Sequence, residues 1–266
     1  MNIFLGLFCL LTTFAYPAQK QKVVAFYTGI NDKAHVSFVH EAIPFLTELS
    51  NHKGFEFEAT NDWSKLNDSF LKNTDLVLFL DTRPEEPAQR KAFESYMRNG
   101  GAWMGFHFAG FALDHSTYPQ NWDWYHQEFL GSGEYKGNTW RPTSAQLKVE
   151  NTSHPALKGL PLVFSSSPNE WYSWKSDLRD NPDIDILLSI DPSSFPLGTG
   201  PKPHEIWHEG YYPVVWTNRN YHMIYINMGH NDIDYDGGTN KELSFQFENK
   251  VQNLLIINSI EWLLKK

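Results

Sequence analysis

Short apolar runs alternate with amphipathic segments along the first half of the chain. Unbroken apolar runs of strand length predict strands covered on both faces, and apolar residues at helical spacing predict amphipathic helices. The predicted strands are Lys22–Thr28, Phe55–Thr60, Asp75–Leu80 and Ala102–Phe108, and the predicted helices are Ser37–Ser50 and Pro87–Arg98. Ser37, with His40 and Glu41, resembles the capping region of the first helix. This alternation predicts a parallel sheet with right-handed crossovers.

The second half of the chain is dominated by strands and loops. Two apolar runs joined at Arg219 and Asn220 predict an antiparallel hairpin. The predicted strands are Gln146–Glu150, Pro161–Ser165 paired with it, Asp185–Ile190, Pro213–Asn218 and His222–Met228, and a long helix is predicted over Phe247–Leu264. Ala112–Trp140 is rich in aromatic residues and glycine, which predicts a helix and long loops over the sheet edge. Because we find no linker or repeat, residues 19–266 are predicted to form one domain.

Charge and cysteine content exclude several classes of function. The 266 residues include 22 Lys and Arg against 31 Asp and Glu, which gives a formal net charge of -9. A chain with this charge is not expected to bind nucleic acid or an anionic membrane surface, whereas small neutral ligands stay open. Cys9 is the only cysteine. A mature chain without it has no thiol nucleophile, no thiolate metal site and no disulfide.

The first 18 residues have the pattern of a secretory signal peptide. Ile3–Ala15 is an almost unbroken apolar run that is too short to span a bilayer comfortably, and small residues and Pro17 follow it. Cleavage after Ala15 or Ala18 fits this pattern. We therefore expect a periplasmic or secreted protein with no membrane span once the signal peptide is removed.

The stretch RNGGAWMGFHFAG, from Arg98 to Gly110, combines a buried strand with one ionisable side chain. His107 is expected at the carboxyl end of this strand, the edge where open α/β sheets bind ligands. The sequence GFHFA has the small-x-polar-x-small form of a sharp strand-to-helix turn that presents one side chain to a cleft. The alternative is a histidine of the core whose ring is hydrogen-bonded to a backbone carbonyl group. The motif alone leaves both interpretations open.

Several short motifs occur together over almost the whole mature chain. They are Thr28 with Gly29, His35 with Ser37, Gly100–Ala109, Asn151–Ala156, Asn169–Tyr172, Pro213–Trp216, and Gly229 with His230. Each motif is weak alone, but in this order and at these separations they resemble the ThuA-like trehalose-utilisation family.

This resemblance implies an α/β, flavodoxin-like three-layer sandwich related to class I glutamine amidotransferases, with a mostly parallel central sheet and antiparallel additions in the C-terminal half. It also implies that His107 stands where an amidotransferase has its cysteine nucleophile. Glutaminase chemistry is not expected, because an imidazole at that position supplies no thiolate to form an acyl-enzyme. The family is associated with the metabolism of trehalose and related disaccharides through 3-keto-sugar intermediates. A small-molecule carbohydrate is therefore the expected partner.

Chemically capable side chains follow several of the predicted strands, and the carboxyl ends of parallel strands meet at one edge. The predicted catalytic residues are His107, His230 and Glu170, and the predicted substrate-binding residues are Thr28, His35, Trp140, Tyr172, Trp216 and Asp232. The three aromatic residues in this set are candidates for stacking on a sugar ring, with core packing as the alternative.

Two chemistries are compatible with this set of residues. His107 and His230, with Glu170 orienting them or acting as the base, are suited to isomerisation or β-elimination of a 3-keto-sugar, whose proton next to the ketone is acidified. Alternatively, His35, His107 and His230 are candidate ligands of Zn²⁺ or a similar divalent ion, because neutral imidazole binds such metals well. A non-catalytic carbohydrate-binding protein and a metal-dependent hydrolase are the remaining hypotheses.

Overall fold

One nine-stranded β-sheet organises the protein. The structure is a computed structural model that describes residues 20–30, 32–113, 121–139, 141–195, 206–234, 237–239 and 241–265. The predicted signal peptide and Trp140 lie outside the described residues. Among the residues that the structure describes, no helix combines the length and the apolar character needed to cross a membrane.

Eleven strands and four α-helices make up the regular structure of the described residues. The strands are β1 (Lys22–Phe26), β2 (Glu56–Thr60), β3 (Leu76–Phe79), β4 (Ala102–Phe106), β5 (Tyr135–Asn138), β6 (Gln146–Val149), β7 (Val163–Ser165), β8 (Tyr172–Trp174), β9 (Ile184–Ile190), β10 (Tyr212–Asn218) and β11 (Tyr221–Ile226). The helices are α1 (Lys33–Lys53), α2 (Asp68–Leu71), α3 (Pro87–Arg98) and α4 (Lys250–Leu263), and a π-helix spans Trp124–Phe129.

The sheet has a parallel half and an antiparallel half. Its strand order is β2-β1-β3-β4-β11-β10-β9-β6-β7, and the pairs from β2 to β11 are all parallel. This parallel part has the strand order of flavodoxin-like folds. The pairs from β11 to β7 are antiparallel, and they include the predicted pairing of β6 with β7. The predicted fold class, a mostly parallel sheet with antiparallel additions in the C-terminal half, is confirmed.

Alternation along the central strands divides the core between the two faces of the sheet. In β3, Leu76 and Leu78 point to the face covered by α1 and α4, whereas Val77 and Phe79 point to the face covered by α3. All four residues are fully buried. This explains why the strand sequence is apolar throughout instead of alternating, since both of its faces are covered.

The two faces differ in composition. The face under α1 and α4 is packed mainly by aliphatic residues, whereas the face under α3 holds a cluster of large rings. Its fully buried aromatic members include Phe79, Phe93, Trp103, Tyr125, Phe129, Trp216 and Tyr225. Much of the tryptophan and tyrosine content of this chain therefore serves packing.

The structure corrects several predicted boundaries near the sheet edge. Helix α1 begins at Lys33, because the Asp32 side chain caps it by accepting hydrogen bonds from the backbone N–H groups of Ala34 and His35. Ser37, predicted in the capping region, lies inside the helix and donates to the Lys33 carbonyl. The strand predicted to end at Phe108 ends at Phe106. Residues 107–110 form a 3₁₀ turn instead.

His126 of the π-helix is a buried histidine with a structural role. Its Nδ1 lies 3.2 Å from the Trp122 backbone nitrogen and 3.0 Å from the Trp122 carbonyl oxygen, and its Nε2 lies 3.1 Å from the Phe111 carbonyl oxygen. Because the Phe111 oxygen can only accept, the neutral ring that fits carries its proton on Nε2 and accepts at Nδ1 from the Trp122 N–H. Burial, with the nearby Arg83 guanidinium, holds the pKa of His126 well below its usual value.

We expect His126 to lower the free energy of unfolding when the pH falls. The unfolded chain takes up a proton at this histidine near pH 6.5 and the folded chain does not, so the free energy of unfolding falls as the pH drops below that value. One histidine of this kind lowers the free energy of unfolding by about 1 kcal/mol at pH 5.5. His126→Gln should reduce the pH dependence, measured by urea unfolding between pH 7.5 and pH 5.5. The exposed His52 offers the control His52→Gln, and equal pH slopes for the two variants would contradict this role.

Candidate functional site

Four side chains converge at the carboxyl edge of the parallel strands. His107 follows β4 directly, and His230 follows β11, the strand that pairs with β4. His35 lies in the first turn of α1, which follows β1, and Glu170 lies just before β8. The sheet topology therefore brings together residues that are up to 195 positions apart in the sequence.

His107 has an unusual backbone conformation. Among the described residues it is the only non-glycine residue with a positive φ, at 38°. Positive φ is uncommon for residues with a side chain and clusters at functional sites, where the surrounding structure enforces it. This conformation ends β4 and starts the 3₁₀ turn, in agreement with the sharp turn predicted from the sequence. The imidazole itself is 1% exposed.

The donor atoms of the cluster lie at short distances from one another. His230 Nδ1 is 3.2 Å from His35 Nε2 and 3.2 Å from Glu170 Oε2. His107 Nε2 is 3.3 Å from the same Glu170 oxygen. The ligand nitrogens of the three histidines all lie within 4.8 Å of one another. Among the described residues, neither ring nitrogen of His107 has a hydrogen-bond partner of normal geometry.

Backbone and amide contacts position Glu170 and His230 together. The Glu170 N–H donates to the His230 carbonyl oxygen at 2.8 Å, and the Gly229 N–H donates to Asn169 Oδ1 at 3.0 Å. The Asn231 side chain donates to the Pro168 carbonyl at 2.6 Å. The segment before β8 is therefore joined to the segment after β11, so the carboxylate and the imidazole are fixed as one unit.

The electrostatics of the cluster favour an ionised carboxylate. Burial acts to raise the pKa of Glu170, but its close contacts and charge interactions with His107 and His230 outweigh burial and hold that pKa far below its usual value. Burial acts to lower the pKa of His230, but the Glu170 carboxylate raises it overall.

The other two imidazoles favour the neutral form. Burial, followed by the neighbouring imidazoles, holds the pKa of His35 well below its usual value. Burial also lowers the pKa of His107 despite the nearby Glu170. Neutral imidazole is the form that binds a metal ion.

Of the other predicted site residues, Tyr172 and Asp232 neighbour this cluster, and Thr28 follows β1 at the same edge of the sheet. The ring of Tyr172 packs on the ring of His107 with centroids 4.0 Å apart, and burial raises the pKa of its phenol well above the usual value. Thr28 donates through Oγ1 to Asp81 Oδ2 at 2.8 Å, which joins the ends of β1 and β3. Asp232 is half-buried beside His230, and its charge contributes to the raised pKa of that histidine.

Trp216 does not belong to the site, which corrects the prediction that it binds substrate. Its side chain is fully buried in the aromatic core, and its Nε1 donates to the Leu130 carbonyl at 2.9 Å. It packs on Tyr225 with ring centroids 4.4 Å apart. A ring enclosed in this way has no face left for a sugar. Trp140, the other predicted stacking tryptophan, lies outside the described residues.

Sequence reasoning missed two residues beside the cluster. Asn227 is fully buried just after β11, where its Nδ2 donates to the Tyr172 carbonyl at 2.9 Å. Phe108 lies next to His107, and its ring centroid is 5.2 Å from that of His35. A signal for Asn227 was present in the sequence, because an amide within the apolar run YINMG is costly unless it is hydrogen-bonded.

Comparisons with known proteins identify similar chains. A family model for ThuA, described as trehalose utilisation, matches residues 23–244. A ThuA-like protein of solved structure from Bacteroides uniformis is 36% identical with a TM-score of 0.80, and the match covers 94% of each chain. A search of curated proteins found no match.

Two more distant structures share the fold. A ThuA-like protein from Parabacteroides merdae is 18% identical with a TM-score of 0.64, over 93% of this chain and 91% of that one. The structure of PurLQS from Thermotoga maritima is 12% identical with a TM-score of 0.50, over 92% of this chain and 100% of that one. At these identities the likeness shows the fold alone.

Gly229 allows the close approach between the two segments that carry His107 and His230. Its φ is 147°, and a Cβ at this position would lie 3.2 Å from the Cβ of His107. We expect Gly229→Ala to lower the free energy of unfolding by at least about 2 kcal/mol, because backbone strain and crowding add. Gly54→Ala is the matched control, since Gly54 also has a positive φ but has no atom within 4 Å of the added Cβ. Gly54→Ala should lower the free energy of unfolding, measured with urea, by about 1 kcal/mol. Equal losses for Gly229→Ala and Gly54→Ala would contradict the proposed crowding.

Proposed function

Because the chain belongs to the ThuA family of trehalose-utilisation proteins, we propose that it is a metal-dependent enzyme of carbohydrate metabolism. His35, His107 and His230 hold a divalent metal ion, with zinc as the best fit, and Glu170 takes up the proton that the reaction removes. The observation that carries this proposal is the convergence of three imidazole nitrogens within 4.8 Å of one another.

The donor set fits zinc in chemistry, and one pair of its nitrogens already has the spacing of zinc ligands, whereas the full set lies within 4.8 Å and draws closer when the ion binds. Ligand atoms around tetrahedral zinc lie roughly 3.3 Å apart, because each is about 2.0–2.1 Å from the metal. The separation of 3.2 Å between His35 Nε2 and His230 Nδ1 matches this spacing. His107, whose buried ring nitrogens have no hydrogen-bond partner of normal geometry among the described residues, gains a partner when it binds the ion. Three imidazole ligands also leave one position open for water or substrate, as in catalytic zinc sites.

The proposed substrate is a sugar derivative with a ketone, such as a 3-keto-glycoside. A bound zinc ion would polarise the ketone oxygen, which makes the neighbouring C–H more acidic. Glu170 is ionised and lies at hydrogen-bond distance from two of the imidazoles, and its carboxylate is the acceptor that we propose for that proton. This chemistry leads to isomerisation or to β-elimination across the glycosidic bond. The signal-peptide pattern of residues 1–18 supports an exported, periplasmic or secreted enzyme.

A metal-free version of the same chemistry is the second candidate. It is favoured by the single Glu170 oxygen that lies 3.2 Å from His230 Nδ1 and 3.3 Å from His107 Nε2. In this arrangement one imidazole acts as base and the other as acid, and the carboxylate orients both. The two candidates differ in whether activity depends on a metal ion.

Metal analysis tests the first candidate directly. We expect the purified protein to bind about one equivalent of zinc, measured by mass spectrometry of the metal content and by competition with a chelator. His35→Ala should lower the affinity by at least about 100-fold, because it removes a ligand. The exposed His52 lies on the same helix α1, so His52→Ala is the matched control and should bind as the wild type does. A wild type without metal, or equal binding by the two variants, would contradict the zinc proposal.

A substrate assay tests the reaction. The mature protein is incubated with 3-keto-trehalose and related 3-keto-glycosides, with and without chelator, and the products are followed by mass spectrometry. We expect chelator-sensitive conversion, and Glu170→Gln should lower kcat by about 10²- to 10⁴-fold because the amide cannot accept the proton. Glu48→Gln on the exposed face of α1 is the control. Binding of intact sugar without conversion would instead indicate a carbohydrate-binding protein, and chelator-insensitive conversion would favour the metal-free mechanism.

A further inference from the structure

Three consecutive carbonyl groups of the turn that carries His107 each accept a hydrogen bond from a buried side chain. Tyr225 Oη donates to the His107 carbonyl at 2.7 Å, Arg83 Nη1 donates to the Phe108 carbonyl at 3.0 Å, and Tyr125 Oη donates to the Ala109 carbonyl at 2.9 Å. The residues that donate are at most 2% exposed. Each of these buried side chains therefore directs a donor to the backbone of the turn.

The three donors come from separate parts of the fold. Tyr225 belongs to β11, Arg83 lies in the loop after β3, and Tyr125 belongs to the π-helix. Tyr225 reaches the turn because residue 110 is glycine, since a Cβ there would lie 2.6 Å from the tyrosine ring. The turn is therefore held by the sheet, by a loop at the sheet edge and by the aromatic layer under α3.

A strained residue needs such restraints. A positive φ at a residue with a side chain persists only where the surrounding structure enforces it. If the turn relaxed to a negative φ, the imidazole of His107 would move away from Glu170, which lies 3.3 Å from its Nε2. Tyr172 restrains the ring itself, because the two ring centroids are 4.0 Å apart.

We propose that Tyr225, Tyr125 and Arg83 are positioning residues that hold His107 in its strained conformation and so direct its imidazole into the cluster with His35, His230 and Glu170. This inference rests on the proposed function, since it assigns these residues to the alignment of one proposed metal ligand. Partners that orient a ligand commonly change metal affinity about 10- to 100-fold when they are removed.

The test compares Tyr225→Phe with Tyr96→Phe. Tyr96 is a matched control, because its hydroxyl donates to the Ala102 carbonyl at 3.1 Å, at the opposite end of β4 from His107. Tyr225→Phe loses one phenol hydrogen bond to the turn, and Tyr96→Phe loses two to the strand, since Tyr96 Oη also accepts from the Ala102 N–H at 3.1 Å. We expect the loss in Tm of Tyr96→Phe to be at least as large as that of Tyr225→Phe. Only Tyr225→Phe should lower zinc affinity, by about 10- to 100-fold, and Tyr96→Phe should bind within about twofold of the wild type.

A second readout does not require a metal ion. In the apo protein, we expect the nearby Tyr172 ring, whose centroid is 4.0 Å from that of His107, to shift the NMR signals of the His107 ring protons, which are assigned with His107→Gln. We expect Tyr225→Phe to change this shift and Tyr96→Phe to leave it unchanged. Tyr125→Phe loses the hydrogen-bond donor to the Ala109 carbonyl and should also change the His107 signal. It replaces Tyr225→Phe in the test if that variant does not fold.

The outcomes separate this inference from the proposed function. An unchanged His107 signal in the apo form of both Tyr225→Phe and Tyr125→Phe would overturn the positioning role, whatever the wild type binds. A shifted signal in a protein that binds no zinc would support the positioning role and contradict the zinc proposal. Equal changes in Tyr225→Phe and Tyr96→Phe would indicate general destabilisation and would also overturn the inference.

Discussion

A buried carboxylate shared by two imidazoles is the interaction on which the site depends. Glu170 is 4% exposed, and a carboxylate in such a position would be neutral if it were alone. His107 and His230 keep it ionised, because each lies within 3.3 Å of the same oxygen. In return, the negative charge favours a cation among the histidines, whether that cation is a proton or a metal ion. The hydrogen bond from the Glu170 N–H to the His230 carbonyl oxygen fixes the two residues next to each other in the fold.

The sheet places this interaction at the edge where open α/β sheets bind ligands. The parallel strands end at one edge, and residues after β4 and β11 become neighbours there because those two strands pair in register. The aromatic layer on one face of the sheet supports the turn after β4 through Tyr125 and Tyr225. Packing and site geometry are therefore coupled, and the aromatic richness of the chain contributes to the position of His107 as well as to stability.

The fold is a flavodoxin-like α/β sandwich, and the turn after β4 determines the chemistry of its site. The turn presents an imidazole, and Cys9 is the only thiol of the chain. An imidazole beside two further imidazoles and a carboxylate is suited to metal binding and proton transfer, whereas acyl transfer to sulfur requires a thiolate.

The sequence determined most of the helices and strands, because apolar runs and helical spacing are set by residues close together in the chain. The helix Pro87–Arg98 was predicted with the bounds that the structure shows, and the position of His107 at the sheet edge followed from the strand before it. Tertiary structure decided which side chains meet. His107 and His126 are both buried histidines, yet one joins the cluster and the other bonds to backbone groups of Trp122 and Phe111, because burial of a ring depends on its neighbours in space. Trp216 packs in the core for the same reason, since strand register decides which face of the sheet a side chain joins, and residue type alone does not contain that information.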